Sequence, residues 1–160
     1  MRIAPALVVS TALAFATLGA ARAQAPAPDL KTFASSAEIQ ALLENARKVY
    51  KPGPGAVVQP VVSLAPFKAT MEYRRQAGPF LMHPKDGELN YVVAGKAAVT
   101  VGGTLVQPKA AGSGNVIGQS IEGGTIKVIQ TGDWLIVPAG APHEFNPDGE
   151  YAMVTIKAPN

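Results

Sequence analysis

From residue 56 onward the chain is a succession of short β-branched and aromatic runs, each cut off by Gly, Pro, Asn or Asp. The runs fall at residues 57–64, 69–75, 89–93, 97–101, 126–129, 134–137 and 151–157, and no second helical pattern interrupts them. Many short strands with frequent turns bury their apolar faces by folding back on one another as a sandwich or small barrel. Pro60, Pro66 and Pro79 argue against long unbroken central strands in the first part. Gly-Gly-Thr occurs at 102–104 and 123–125. The flanking residues do not recur at a fixed period, so the pattern predicts two hairpin turns rather than a repeat. Residues 107–118, rich in Gly, Ala and Ser, are longer than an ordinary hairpin connection. They read either as a lid over a cavity or as a mobile insertion.

One helix precedes the strands, over residues 35–51. Ser35 can cap it, and Glu38 three residues later completes a capping box. Ile39, Leu42, Leu43, Ala46 and Val49 follow helical spacing and form one apolar stripe. Lys48 and Lys51 sit at the end where cations complement the helix dipole. Pro52-Gly53-Pro54-Gly55 stops the helix. The stripe predicts packing on a sheet; a contact with a second copy is the alternative.

The first 23 residues read as a signal peptide. Arg2 is followed by an apolar stretch to Gly19, and Ala21-Arg22-Ala23 has the small-x-small form of a cleavage site. A membrane anchor is the alternative, but the run has signal-peptide length and is broken by Ser10, Thr11 and Thr17. Cleavage after Ala23 predicts a periplasmic or secreted protein with no stable membrane insertion. It leaves 137 of the 160 residues. Residues 24–34 then form a Pro/Ala linker. The leader holds Arg2 and Arg22 and no acid, so 12 of the 14 basic residues remain against 11 acidic ones, a net charge of +1. That balance is no signature of nucleic-acid binding. With no cysteine, disulfides, thiolate metal sites and cysteine nucleophiles are excluded.

The chain has two histidines, and both lie beside Pro/Gly turns. His83 precedes Pro84-Lys85-Asp86-Gly87, after which Glu88 opens a strand. His143 follows Pro138-Ala139-Gly140-Ala141-Pro142 and opens another. If the two hairpins pack together, His83, Glu88 and His143 converge on one point. The segment from Glu88 through six residues to Gly95, and that from Gly132 through five to Pro138-Ala139-Gly140 and two more to His143, resemble the two signature motifs of the cupin superfamily. The match spans roughly residues 78–146. The resemblance implies an all-β double-stranded β-helix, a jelly-roll-like barrel over residues 56–160, commonly a homodimer. It also implies a metal held inside one end by histidines and a glutamate.

Carried over residue by residue, Glu88 matches the glutamate, His143 the second-motif histidine, and His83 the second of the two first-motif histidines. Leu81 stands where the first of those should be, and Pro147 where an asparagine is usual, with Asn146 one position off. Leu81 and His83 share strand parity, so an aliphatic side chain occupies a usual ligand place. Two imidazoles and one carboxylate remain a sufficient set. It is the composition of the facial triad for Fe(II), and three protein ligands plus water also suit catalytic zinc; Mn(II) and Ni(II) are compatible. Without a metal, both histidines would be structural and Glu88 would pair with Lys85 or Arg75.

Two functions follow. One is a metal-dependent enzyme of oxygenase, isomerase or lyase type on a small polar organic molecule, with Tyr91, Lys85, Tyr73 and Glu72 as the nearby acid–base candidates. The other is a non-catalytic barrel that binds a small ligand, with or without metal. Arg74-Arg75 reads as a solvated strand end. Trp134, Phe145, Tyr91 and Phe80 read as core or interface residues. There is no phosphate loop and no dinucleotide fingerprint.

Overall fold

The structure is a computed structural model and describes residues 30–159. The expected signal peptide and most of the expected linker lie outside the described residues. Among those described, no helix is long and apolar enough to cross a membrane.

The helix α1 (Ser36–Val49) forms where the stripe places it. The Ser35 hydroxyl accepts from the Glu38 backbone N–H at 3.2 Å, and the Glu38 carboxylate accepts from the Ser35 N–H at 2.8 Å. Two of the four N–H groups that a helix start leaves without partners are thereby satisfied. Leu43 and Ala46 are buried against Val61, Ala69, Met71, Tyr73 and Ala152, so the stripe packs on a sheet.

The strands are β1 (Val57–Leu64), β2 (Phe67–Arg74), β3 (Phe80–Met82), β4 (Asp86–Val101), β5 (Thr104–Val106), β6 (Lys109–Ala110), β7 (Val116–Gly118), β8 (Ser120–Glu122), β9 (Thr125–Gln130), β10 (Trp134–Val137) and β11 (His143–Pro159). All pairings are antiparallel. The backbone of the fold is the ribbon of β4 and β11. These strands pair from Asp86↔Pro159 at one end to Val101↔His143 at the other. The predicted strands 89–93 and 97–101 are therefore one strand, bent rather than broken. The bend falls at Gly95, whose φ is +77° and whose backbone lies so close to the Glu150 carbonyl that a Cβ would sit 1.8 Å from that oxygen. Glycine alone accepts both conditions.

On one side of the bend the ribbon continues into β2 and β1 through β11 and into β10 through β4. On the other it continues into β9 through β4 and into β3, β7 and β6 through β11. Val92, Val99, Leu135, Val137, Phe145, Tyr151 and Met153 fill the interior between the two halves. The helix covers the outer face of β1, β2 and β11. Pro60 lies on β1, an edge strand, at a register shift, where a missing N–H costs no ladder bond.

The two Gly-Gly-Thr segments are not hairpin turns. Each is a corner between consecutive strands, β4 to β5 and β8 to β9, and the corners lie side by side because β4 pairs with β9 and β5 with β8. A Cβ on Gly103, at φ +77°, would come within 2.2 Å of the Glu122 carbonyl oxygen and 2.6 Å of Gly124 N. A ribbon that turns a corner at both strands together needs small residues on both. Residues 107–118 likewise form an ordered hairpin, β6 and β7 around a short turn at Gly112–Gly114, that is hydrogen-bonded to β3. They are not a free insertion.

Candidate metal centre

His83 sits just past the end of β3, Glu88 near the start of β4, and His143 at the first residue of β11. The two turn segments are tied together by the Gly140 N–H, which donates to the His83 carbonyl at 2.8 Å. Glu88 faces the interior together with Asn90 and Val92, as strand alternation requires. All three candidate ligands are buried. One donor atom from each lies within 4.8 Å of the others. His83 Nε2 is 2.9 Å from Glu88 Oε1, and His143 Nε2 is 3.7 Å from Glu88 Oε2. The imidazole centroids are 5.3 Å apart.

The other ring nitrogens are already engaged. His143 Nδ1 donates to the Ala141 carbonyl at 3.1 Å, and His83 Nδ1 donates to Asn115 Oδ1 at 2.6 Å. A histidine whose Nδ1–H is held by a protein acceptor offers the Nε2 lone pair when neutral, and such partners fix both tautomer and ring orientation. Both Nε2 atoms point at Glu88. The donor set and its supports thus suit a divalent ion bound by two imidazoles and a carboxylate, with room for further ligands.

Electrostatics sharpens this picture. Burial disfavours the charged form of His83, but the hydrogen bonds that it donates to Glu88 and Asn115 and the Glu88 charge outweigh it, and its pKa stands above the ordinary imidazole range. His143 moves the other way: burial outweighs the attraction of Glu88, and its pKa is lowered. Burial alone would raise Glu88, yet the His83 hydrogen bond and the charges of His143, His83 and Lys157 hold it below the usual carboxylate range. Three positive or hydrogen-donating groups gathered on one buried carboxylate answer the cost of burying it.

Lys157 was not apparent from sequence. It stands opposite Glu88 in the β4–β11 register, with Nζ 3.7 Å from Glu88 Oε1 and 3.4 Å from His83 Nε2. It replaces both Lys85 and Arg75 as the partner expected for Glu88. The signal for it was parity: Met153, Thr155 and Lys157 alternate on one face of β11, and the first two are buried. Asn115 carried no signal beyond being a polar residue in a Gly-rich loop.

A cavity of about 420 Å³ opens beside the three ligands. Val58, Pro79, Leu81, Phe145 and Met153 form apolar wall, and Glu72, Arg74 and Lys157 supply charge. Leu81 is where strand parity puts it, paired with His143 in the β3–β11 register and lining the cavity. Arg74 is not a solvated strand end: it is buried, paired with Glu72 at 2.8 Å, and its guanidinium lies 5.9 Å from the Phe145 ring centre. Arg75 instead reaches Glu150 at 3.6 Å.

The remaining acid–base candidates lie elsewhere. Tyr91 has the opposite parity to Glu88 and Asn90, and its ring rests on Trp134 at 4.8 Å on the outer face. Lys85 is exposed on the turn and does not line the cavity. Tyr73 is buried beneath the helix with its hydroxyl donating to Glu150. Of that group Glu72 alone lines the cavity. Phe145 belongs to the interior, whereas Trp134 is 61% exposed.

No family model matches the sequence, and no curated protein does. Solved structures do match. One is a hydroquinone 1,2-dioxygenase, PnpCD, in complex with Cd2+ and 4-hydroxybenzonitrile, at 20% identity over 74% of this chain and 71% of that one, TM-score 0.55. Another is the protein BH2720 of Bacillus halodurans, at 16% identity over 81% and 83% of the two chains, TM-score 0.54. A third is an RmlC-like cupin of Shewanella frigidimarina NCIMB 400, at 18% identity over 69% and 81%, TM-score 0.50.

Proposed function

We propose that this chain, which has the double-stranded β-helix fold of the cupins, is an exported protein that holds a divalent metal ion through His83 Nε2, Glu88 and His143 Nε2. In this reading it acts on, or binds, a small organic molecule in the adjoining cavity. The observation that carries the reading is the convergence of the three buried donors with both Nδ1 atoms already anchored. Chance burial of the only two histidines does not require both to turn the same nitrogen toward one carboxylate. When bound, the ion would supply Lewis acidity or a place for dioxygen, according to its identity. The chain itself supplies orientation through Asn115 and Ala141, an apolar wall that limits water, and the charged groups Glu72 and Lys157.

The test is metal content by elemental mass spectrometry on untagged mature protein, beside His143→Ala. The expected result is near-stoichiometric metal in the wild type and its loss in the variant. No metal in either, even after reconstitution with Fe(II), Mn(II), Ni(II) and Zn(II), would sink the proposal.

A non-catalytic ligand-binding role is favoured by one feature: the cavity wall is largely apolar, with Glu72 already paired to Arg74. Turnover measurements on metal-loaded protein separate the two roles.

A further inference from the structure

Lys157 brings an ammonium to the mouth of the ligand set without belonging to it. Its Nζ approaches His83 Nε2 and Glu88 Oε1, two of the atoms that would face an ion, and 42% of its side chain is exposed. A divalent ion on those atoms would lie within a few ångströms of the ammonium. Two cations so close repel unless an anion lies between them or the lysine swings away. The same cavity is lined by Arg74, whose Nε–H is buried without an acceptor among the described residues. The rest of the wall, from Leu81, Phe145 and Met153, is apolar.

We infer that Lys157 is the anion-recognition residue of the centre, and that the molecule it serves is a small organic acid. Its carboxylate would pair with the Lys157 ammonium beside the ion site, and its apolar body would lie along Leu81, Phe145 and Met153. The inference rests on the metal reading above and narrows it to a substrate class. It also gives Leu81 a role, because an aliphatic side chain there extends the apolar wall up to the ligands.

The experiment uses mature protein loaded with Co(II), whose visible spectrum reports the ion's surroundings, in the wild type and in Lys157→Gln. Each is titrated with benzoate and with its neutral counterpart benzamide, and Co(II) content is measured separately. The expected result is full Co(II) in both proteins, a spectral change with benzoate, and at least a tenfold loss of benzoate affinity in the variant with benzamide affinity unchanged. Equal benzoate affinity in the two proteins overturns the inference, as does an equal loss for benzamide. Tighter Co(II) binding by the variant with benzoate unaffected also overturns it, since the ammonium would then be only a placeholder for the ion. Failure of the wild type to take up Co(II) overturns the underlying metal reading, and is told apart from the other outcomes by the Co(II) content itself.

Discussion

Neither imidazole is open to solvent and both stand beside one carboxylate, yet their pKa values move in opposite directions. Burial weighs more heavily on His143, whereas at His83 the hydrogen bond to Glu88 offsets it. His83 has a side-chain acceptor in Asn115 and a close Glu88 oxygen, whereas His143 has a carbonyl and a longer reach. Metal binding needs both rings neutral at Nε2, so a proton on His83 competes with the ion. Metal affinity should therefore fall as pH drops through a His83 pKa that lies above its ordinary 6.5, with His143 adding to the loss only at lower pH. Calorimetric titration with Zn(II) across a pH series checks this, and an upper inflection below 6.5 would contradict it. Asn115→Ala should weaken metal binding by about 10–100-fold through loss of ring orientation, while Asn115→Asp, which keeps an acceptor oxygen, should lose less. Competition with a chelator reads both.

At the scale of elements, the helix is fixed to the sheet by more than its apolar stripe. Arg47, in its last turn, donates two hydrogen bonds to Glu150 of β11, and Glu150 also accepts from Tyr73. The Arg47 hydrogen bonds are the main cause of a lowered Glu150 pKa. A depressed folded pKa means stability that is fully present above the unfolded carboxyl value and lost as pH falls through the folded one. Glu150→Gln should therefore lower stability by about 1–2 kcal/mol at neutral pH. Thermal melts should show the gap to wild type closing as pH falls below about 4.5.

The elements legible in the sequence were those specified locally. The Ser35–Glu38 box, the helical stripe and strands 57–64 and 134–137 need only a few neighbouring residues to specify them. The three candidate ligands were legible because both histidines fall on turn-bounded strand ends. What could not be read depends on pairing between distant segments. Lys157 reaches Glu88 only through the β4–β11 register. Asn115 reaches His83 only because β7 docks on β3. The paired Gly-Gly corners look like two independent turns until β5 is seen beside β8. Arg74 looked solvated because a charged residue at a strand end usually is, and its interior face shows only once β2 is placed.

At the scale of the molecule, an ion at this centre would join two segments that are far apart in sequence: the β3–β4 turn, which carries His83 and Glu88, and the start of β11. Binding to the folded state alone stabilises it, by about 2.7 kcal/mol at a free concentration 100 times the dissociation constant. The wild type should melt at higher temperature with saturating Zn(II) or Mn(II), and His143→Ala should show no such rise; differential scanning calorimetry distinguishes the two. The ribbon of β4 and β11 has a further consequence. Glu88 and Lys157 lie near one end of it and His143 at the other, yet all three meet. The ribbon is a hoop that closes on itself, and the ligand cluster is its clasp. Hoop curvature and clasp strength then form a single equilibrium. Tension introduced at the Gly95 bend would be felt as a change in the spacing of His83, Glu88 and His143, from a residue that belongs to none of them.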